Sequence, residues 1–283
     1  MRLAIPADAP REIAPQRLQG HIRIEAEAAD GQSRLRNLRE RGGFRARIAS
    51  EGEVCESYLI NPAGGLTGGD VVCVDATAGS GAHLVISTAA AERVYRSSGQ
   101  AVQVNCRLAA RAQATLEWLP QQTIFYEGCR FARSMDIEVH PSARVTVLEA
   151  IALGRPARGE RLENASIRDN WRVSCGGRLV LAESLRLLGN VSRLVERRAV
   201  GNGALAAATL VHIGPGSDHE LKRVRSCLDS SASAAGSTPV FCGATAIDGA
   251  IIARWLASDA MSLLTSLRSF LAHFRGKPAP RGW

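Results

Sequence analysis

The chain has 283 residues, 46% hydrophobic and 5% aromatic, which is enough apolar content for a sizeable core resting on Val, Leu, Ile and Ala. Its formal net charge of +8 is carried almost wholly by Arg, with Lys only at Lys222 and Lys277, and these residues are dispersed without aromatic interleaving, which argues against a nucleic-acid groove. The seven widely spaced cysteines include no Cys-x-x-Cys pair, which argues against a disulfide framework or structural zinc and fits free thiols in a reducing cytoplasm.

Along the chain, the first stretch, Met1 to Asp8, has no sustained apolar region, so a signal peptide is not expected. Ile22 and Ile24 alternate with His21, Arg23 and Glu25, and Phe44, Ala46 and Ile48 repeat this strand-like period of two. The segment Asn61-Pro62-Ala63-Gly64-Gly65-Leu66-Thr67-Gly68-Gly69-Asp70 follows. It reads as a shaped turn, because Val71-Val72-Cys73-Val74 continues as a strand where a phosphate-binding loop would need a helix. Asp70 is then a turn-forming carboxylate or a ligand. Val102, Val104, Cys106 and Leu108 alternate with polar residues, as do Met135, Ile137 and Val139, and Leu179 with Leu181 and Leu185 with Leu187. Turn signals separate these runs at Asp30-Gly31, Gly42-Gly43, Gly79-Ser80-Gly81, Pro141-Ser142 and Gly176-Gly177.

Short strands without intervening helices predict a mostly antiparallel β architecture. No linker and no fixed-period repeat stands out, so residues 1–283 read as one domain. The longest apolar run, Ala204 to Val211, is broken by Thr209 and falls far short of the ~20 residues of a membrane span. After residue 200 the pattern turns helical. Ser217-Asp218-His219-Glu220 reads as a capping box, with Leu221, Val224 and Leu228 at helical spacing, then a loop from Ser230 to Ser237. A second helix has Ser258 or Asp259 as its cap and Leu263, Leu264, Leu267, Phe270, Leu271 and Phe274 on one face, and it stops at Gly276 and Pro278. Each amphipathic face needs a surface to cover, the sheet or a partner.

No nucleophile motif is present among the six histidines and the serines. The nearest approach to a discrete metal site is Asp136, Glu138 and His140, which alternate on one strand face. A solvated strand face explains the same spacing. Two further segments are chemically dense: Leu116 to Gly128, with large apolar groups, Glu117, Glu127 and a Gln pair; and Glu149 to Glu160, where two carboxylates flank Arg155 and Arg158 in a Gly/Pro-shaped turn.

At these residues the chain resembles the urease accessory protein UreD (UreH) family. The Asn61–Asp70 segment is similar to the family's Pro-x-Gly-Gly-x-x-x-Gly-Asp region. Ser87 to Ser97 resembles its Tyr-Arg-Ser segment, and Leu116 to Gln121 its Leu-Glu-Trp-Leu-Pro-Gln core. Gly154 to Glu160 resembles its Gly-Arg-x-Ala-x-Gly-Glu, and Pro280-Arg281-Gly282-Trp283 its ending. There are departures, such as Ser87 for Thr and Glu92-Arg93 for Thr-Lys.

The resemblance implies a mainly β, β-helix-like single domain of many short strands with two or so amphipathic helices in its C-terminal third. It implies a non-enzymatic maturation factor that binds apo-urease and works with a UreF-like adaptor and a UreG-like GTPase in GTP-dependent nickel insertion. It also implies no tightly bound cofactor, only nickel in transit. On motif position, Asp70, Thr88, Glu149 and Glu160, with Asp136 and Glu138, are expected to line a nickel route, since scattered oxygens release a cation that a His/Cys cage would trap. Tyr95-Arg96-Ser97 and the two C-terminal helices are candidate adaptor contacts. The alternative is a stand-alone nickel-binding protein built on Asp136, Glu138 and His140.

Overall fold

Inward and outward side chains alternate along almost every strand, and the chain uses that alternation to wind two facing sheets. The computed structural model describes residues 16–234 and 238–283; the expectation for Met1 to Asp8 lies outside them. The chain opens with β1 (Gln19–Ala29), β2 (Gln32–Arg41) and β3 (Arg45–Glu51), and then winds. The coils are β4 (Val54–Ile60) with β5 (Val71–Ala78); β6 (His83–Thr88), β7 (Glu92–Val94) and β8 (Val102–Ala110); β9 (Thr115–Trp118), β10 (Thr123–Phe125) and β11 (Arg130–Val139); and β12 (Arg144–Leu153) with β13 (Ala165–Cys175). The remainder is β14 (Arg178–Gly189), α1 (Val191–Glu196), β15 (Ala206–Ile213), α2 (Ser217–Ala234), β16 (Val240–Ile247), β17 (Ala250–Ala257) and α3 (Ala260–Arg275).

The result is a β-solenoid of about four turns. One sheet runs β14-β13-β11-β8-β5-β1-β2 and the other β16-β17-β15-β12-β9-β6-β4-β3. Between β1 and β13 in the first sheet, and between β4 and β12 in the second, neighbours pair in parallel. Antiparallel pairing is confined to the margins: β1·β2, β3·β4, β13·β14 and the β12·β15·β17·β16 extension. This corrects the antiparallel expectation. A short turn such as Gly79-Ser80-Gly81 leads from β5 across to β6 in the facing sheet, so within the coils successive strands do not pair with each other. The coil steps are unequal: Val71 pairs with Gln103, Gln103 with Ala132, and Ala132 with Arg168. That inequality hides the repeat in the sequence.

The main core lies inside the coils, with Val74, Cys106, Met135 and Trp171 aligned across four strands. A second core lies on the outer face of the second sheet. There α2 and α3 bury Val224, Leu228, Leu263, Leu267, Phe270 and Leu271 against Leu148, Ala150, Leu210 and Trp255. Both helices therefore cover the chain's own sheet. Asp259 caps α3 by accepting from the Ser262 N–H at 2.8 Å, and Gly276 ends it. The Ser217 and Asp218 side chains lie outside the described residues. The Ser/Ala-rich stretch expected as a loop continues α2 to Ala234. Ala is the best helix former, and Ser230 and Ser231 donate back to the Ser226 and Leu228 carbonyls. Among the described residues the seven cysteines form no disulfide.

Candidate functional site: charged groups inside the solenoid

The inward stripe of a buried strand is normally apolar, yet three inward positions here carry charge. Arg133 falls in the same parity as Phe131, Met135 and Ile137 on β11, and Asp169 in the parity of Ile167 and Trp171 on β13. Parallel register places Arg133 directly beside Asp169. Glu149 lies on the inward stripe of β12 with Val147 and Ile151, so it faces this pair from the opposite sheet. Arg133 Nε and Nη2 donate to Asp169 Oδ1 and Oδ2 at 2.9 and 2.5 Å, and Nη1 reaches Glu149 Oε2 at 2.5 Å. Trp118 Nε1 donates to Glu149 Oε1 and Trp171 Nε1 to Asp169 Oδ1, both at 2.8 Å. All four carboxylate oxygens are thus engaged.

Burial pushes the Glu149 carboxyl above its ordinary range, against the pull of Arg133. Burial also disfavours the Arg133 charge, but Asp169 and Glu149 outweigh it and hold the guanidinium protonated. Burial raises the neighbouring Cys106 thiol, which stays neutral.

Two cavities meet at this cluster. A small one of about 70 Å³ is lined by Thr88, Glu92, Cys106, Trp118, Gln121 and Arg133, among others. A larger cleft of about 460 Å³ opens between the sheets at the β14/β16 end, where Asp169, Glu183, Leu187, Val200 and Phe241 form part of its wall. Glu149 lines both. At the far side of the small cavity, Glu92 accepts from Asn61 Nδ2 at 3.1 and 3.2 Å and from the Arg93 N–H at 3.0 Å. Burial nevertheless lifts its pKa to about 7, with Asp70 adding to the rise. A half-buried carboxylate that titrates near neutrality, in a cavity, is a functional candidate.

The residues singled out in the sequence fall in three places. Thr88 and Glu149 lie inside; Thr88 Oγ1 accepts from the Gln121 N–H at 2.9 Å. Asp70, Tyr95, Arg96, Ser97 and Glu160 lie on the stacked corners that close one flank. Asp70 is buried and accepts from the Leu18 and Thr67 N–H groups at 2.8 and 2.7 Å, so both its oxygens fasten the turn. The glycines before it allow the next coil to approach. A Cβ at Gly68 would overlap Ser97 Oγ and the Gln100 carbonyl, and one at Gly65 would meet the Tyr95 ring. Glu160 pairs with Arg155 at 2.7 Å, and Arg155 stacks over Tyr126, which packs edge-on against Tyr95. The Arg155 hydrogen bond holds the Glu160 carboxyl below its ordinary range.

Asp136 and Glu138 lie elsewhere, exposed on the outer face of the first sheet. Across the strands, Arg23, Asp75, Arg107, Asp136 and Arg172 form a row of alternating charge. His140 turns away to Ser142 at 2.9 Å, and among the described residues no group of three His, Cys, Asp or Glu side chains could hold a metal ion. Arg133, Asp169 and Glu92 were not singled out. For the first two, the available signal was a charge at an inward position of an otherwise apolar stripe.

The family model of the UreD urease accessory protein matches residues 18–283. This chain belongs to the UreD family. It is 37% identical to "Urease accessory protein UreD" of Azorhizobium caulinodans over 278 residues, 98% of this chain and 99% of the relative. The UreD proteins of Xanthobacter autotrophicus and Methylobacterium sp. are 40% and 41% identical, covering 95% of this chain and 90% and 95% of the relatives. Family membership makes the chain a urease maturation protein. Among the described residues no helix is long and apolar enough to cross a membrane.

Proposed function

We propose that this protein serves urease maturation as a non-catalytic scaffold. It binds apo-urease, works with a UreF-like adaptor and a UreG-like GTPase in the cytoplasm, and passes nickel through its interior during GTP-dependent insertion. The observation that carries the nickel part is the pair of cavities meeting at Glu149. Carboxylates at Glu92, Glu149, Asp169 and Glu183 follow one another from the small cavity to the open cleft. Such oxygens attract a dication without enclosing it, which suits transit better than storage. Thr88 and Gln121 add neutral oxygens beside Glu92. Asp70 and Glu160 serve the flank, Asp70 by shaping its turn and Glu160 by holding Arg155 over the Tyr126 ring, which packs against Tyr95. That aromatic, partly exposed flank with Arg96 and Ser97 is the adaptor contact in this reading.

The test is co-expression with urease structural and accessory subunits. Deleting this chain should abolish active urease. Glu149→Gln and Glu92→Gln should lower the nickel content of urease while the accessory complex still co-purifies. Full nickel loading with both carboxylates replaced would end the passage reading.

A further inference from the structure

The interior route contains a cation of its own. The Arg133 guanidinium stands where the small cavity meets the cleft, and it occupies the Glu149 oxygen that the indole of Trp118 leaves open. We propose that Arg133 gates this route as a resident cation, which holds Glu149 in place of a transiting dication and releases it by exchange. The inference rests on the nickel-passage reading above.

The geometry makes the exchange one-sided. Arg133 grips Asp169 through a two-bond fork from Nε and Nη2, but holds Glu149 through Nη1 alone. Arg133 and Asp169 also sit side by side in strand register, whereas Glu149 belongs to the opposite sheet. Exchange of Arg133 for a dication at Glu149 therefore leaves the Arg133–Asp169 pair intact, and the incoming ion takes over as the cationic partner of the buried Glu149, which is far less costly than breaking the fork. Glu149 then faces both cavities. A dication that binds it must displace an intramolecular cation, which weakens its hold in proportion. The competition keeps a buried carboxylate from becoming a deep trap, and while Arg133 is in place its positive charge repels cations at the junction.

The experiment is equilibrium dialysis of the purified full chain against nickel chloride. Arg133→Met should raise nickel affinity at least tenfold over the unsubstituted protein, with one added ion per chain, and Glu149→Gln in the same background should remove the gain. Arg133→Met leaves two carboxylates facing each other, so circular dichroism must show that it is folded. Should it unfold, the double variant Arg133→Met/Asp169→Asn, which keeps the cluster's net charge, decides in its place with the same expectation. Arg133→Lys, which keeps the charge but not the fork, should gain less than either. A folded variant lacking the Arg133 charge whose nickel affinity stays within twofold of the unsubstituted protein overturns the gate. The passage reading fails separately, if replacing both Glu149 and Glu92 by Gln leaves nickel delivery to urease unchanged in cells.

Discussion

Glu92 offers the sharpest test of the interior's electrostatics. Its pKa is raised from 4.5 to about 7, chiefly by burial, so the folded state holds a proton that the unfolded chain gives up. The sign follows from linkage. Below pH 4.5 both states are protonated and Glu92 costs nothing; between 4.5 and about 7 the unfolded chain binds fewer protons, so stability falls as pH rises; above about 7 the full cost is present. At roughly 1.4 kcal/mol per pKa unit the shift corresponds to about 3 kcal/mol, reduced to about 2 kcal/mol because Glu92 keeps some contact with solvent.

Glu92→Gln preserves the shape but cannot ionise. It should therefore be more stable than the unsubstituted protein by about 2 kcal/mol near pH 8 and nearly equal to it near pH 5, as read from urea unfolding at the two pH values. The same variant should deliver less nickel, since the neutral amide loses the charge that attracts the cation. A stability difference that is the same at both pH values would refute the account of Glu92 as a carboxylate strained by burial.

Three other substitutions test the frame around the site. Glu117 accepts from Arg275 and pairs with His83 at 2.7 Å, tying α3 to β6 and β9. Burial opposes its charge, but these partners win and hold its pKa at about 2. That stabilisation is complete above pH 4.5 and is lost as pH falls toward about 2, so Glu117→Gln should cost about 3 kcal/mol at neutral pH and little in strong acid, as thermal melts across that range would show. Gly68→Ala forces a methyl group against Ser97 and Gln100 and should cost roughly 1–3 kcal/mol in denaturant unfolding; an unchanged midpoint would mean that the two corners are not packed as described. Asp259→Ala removes the cap of α3 and should cost about 1 kcal/mol, with no effect on nickel affinity in dialysis.

What the sequence disclosed follows from what each signal depends on. Strand identity depends on local alternation, and runs such as Met135, Ile137 and Val139 are inward-facing strand residues. The α3 helix carried both its face and its stops in its own residues. Pairing direction depends on where the next turn sends the chain, which periodicity does not encode, so hairpins were expected where the chain winds. The candidate site divided for the same reason. Asp136 and Glu138 have the parity opposite to Arg133 on one strand, and that single-residue offset places them on the outer face and the arginine inside. Glu149 and Asp169 are 20 positions apart in the numbering and meet only because β12 and β13 face each other across the coil.

The same winding explains why the charged groups can remain buried at all. A parallel solenoid pairs the backbone N–H and C=O groups of its central strands with the coils on either side, so the interior side chains are freed from satisfying main-chain groups. Each wall can then hold one partner of an ion cluster at a fixed register. Here one wall supplies Arg133 and Asp169 side by side, and the other supplies Glu149 with Trp118. Two walls whose charged groups meet here through the Arg133–Glu149 ion pair form a junction that opens by losing that pair, without unfolding a strand. A cage of ligands on a single strand would have no such release, and the outer-face row of alternating charge has no second wall to open against.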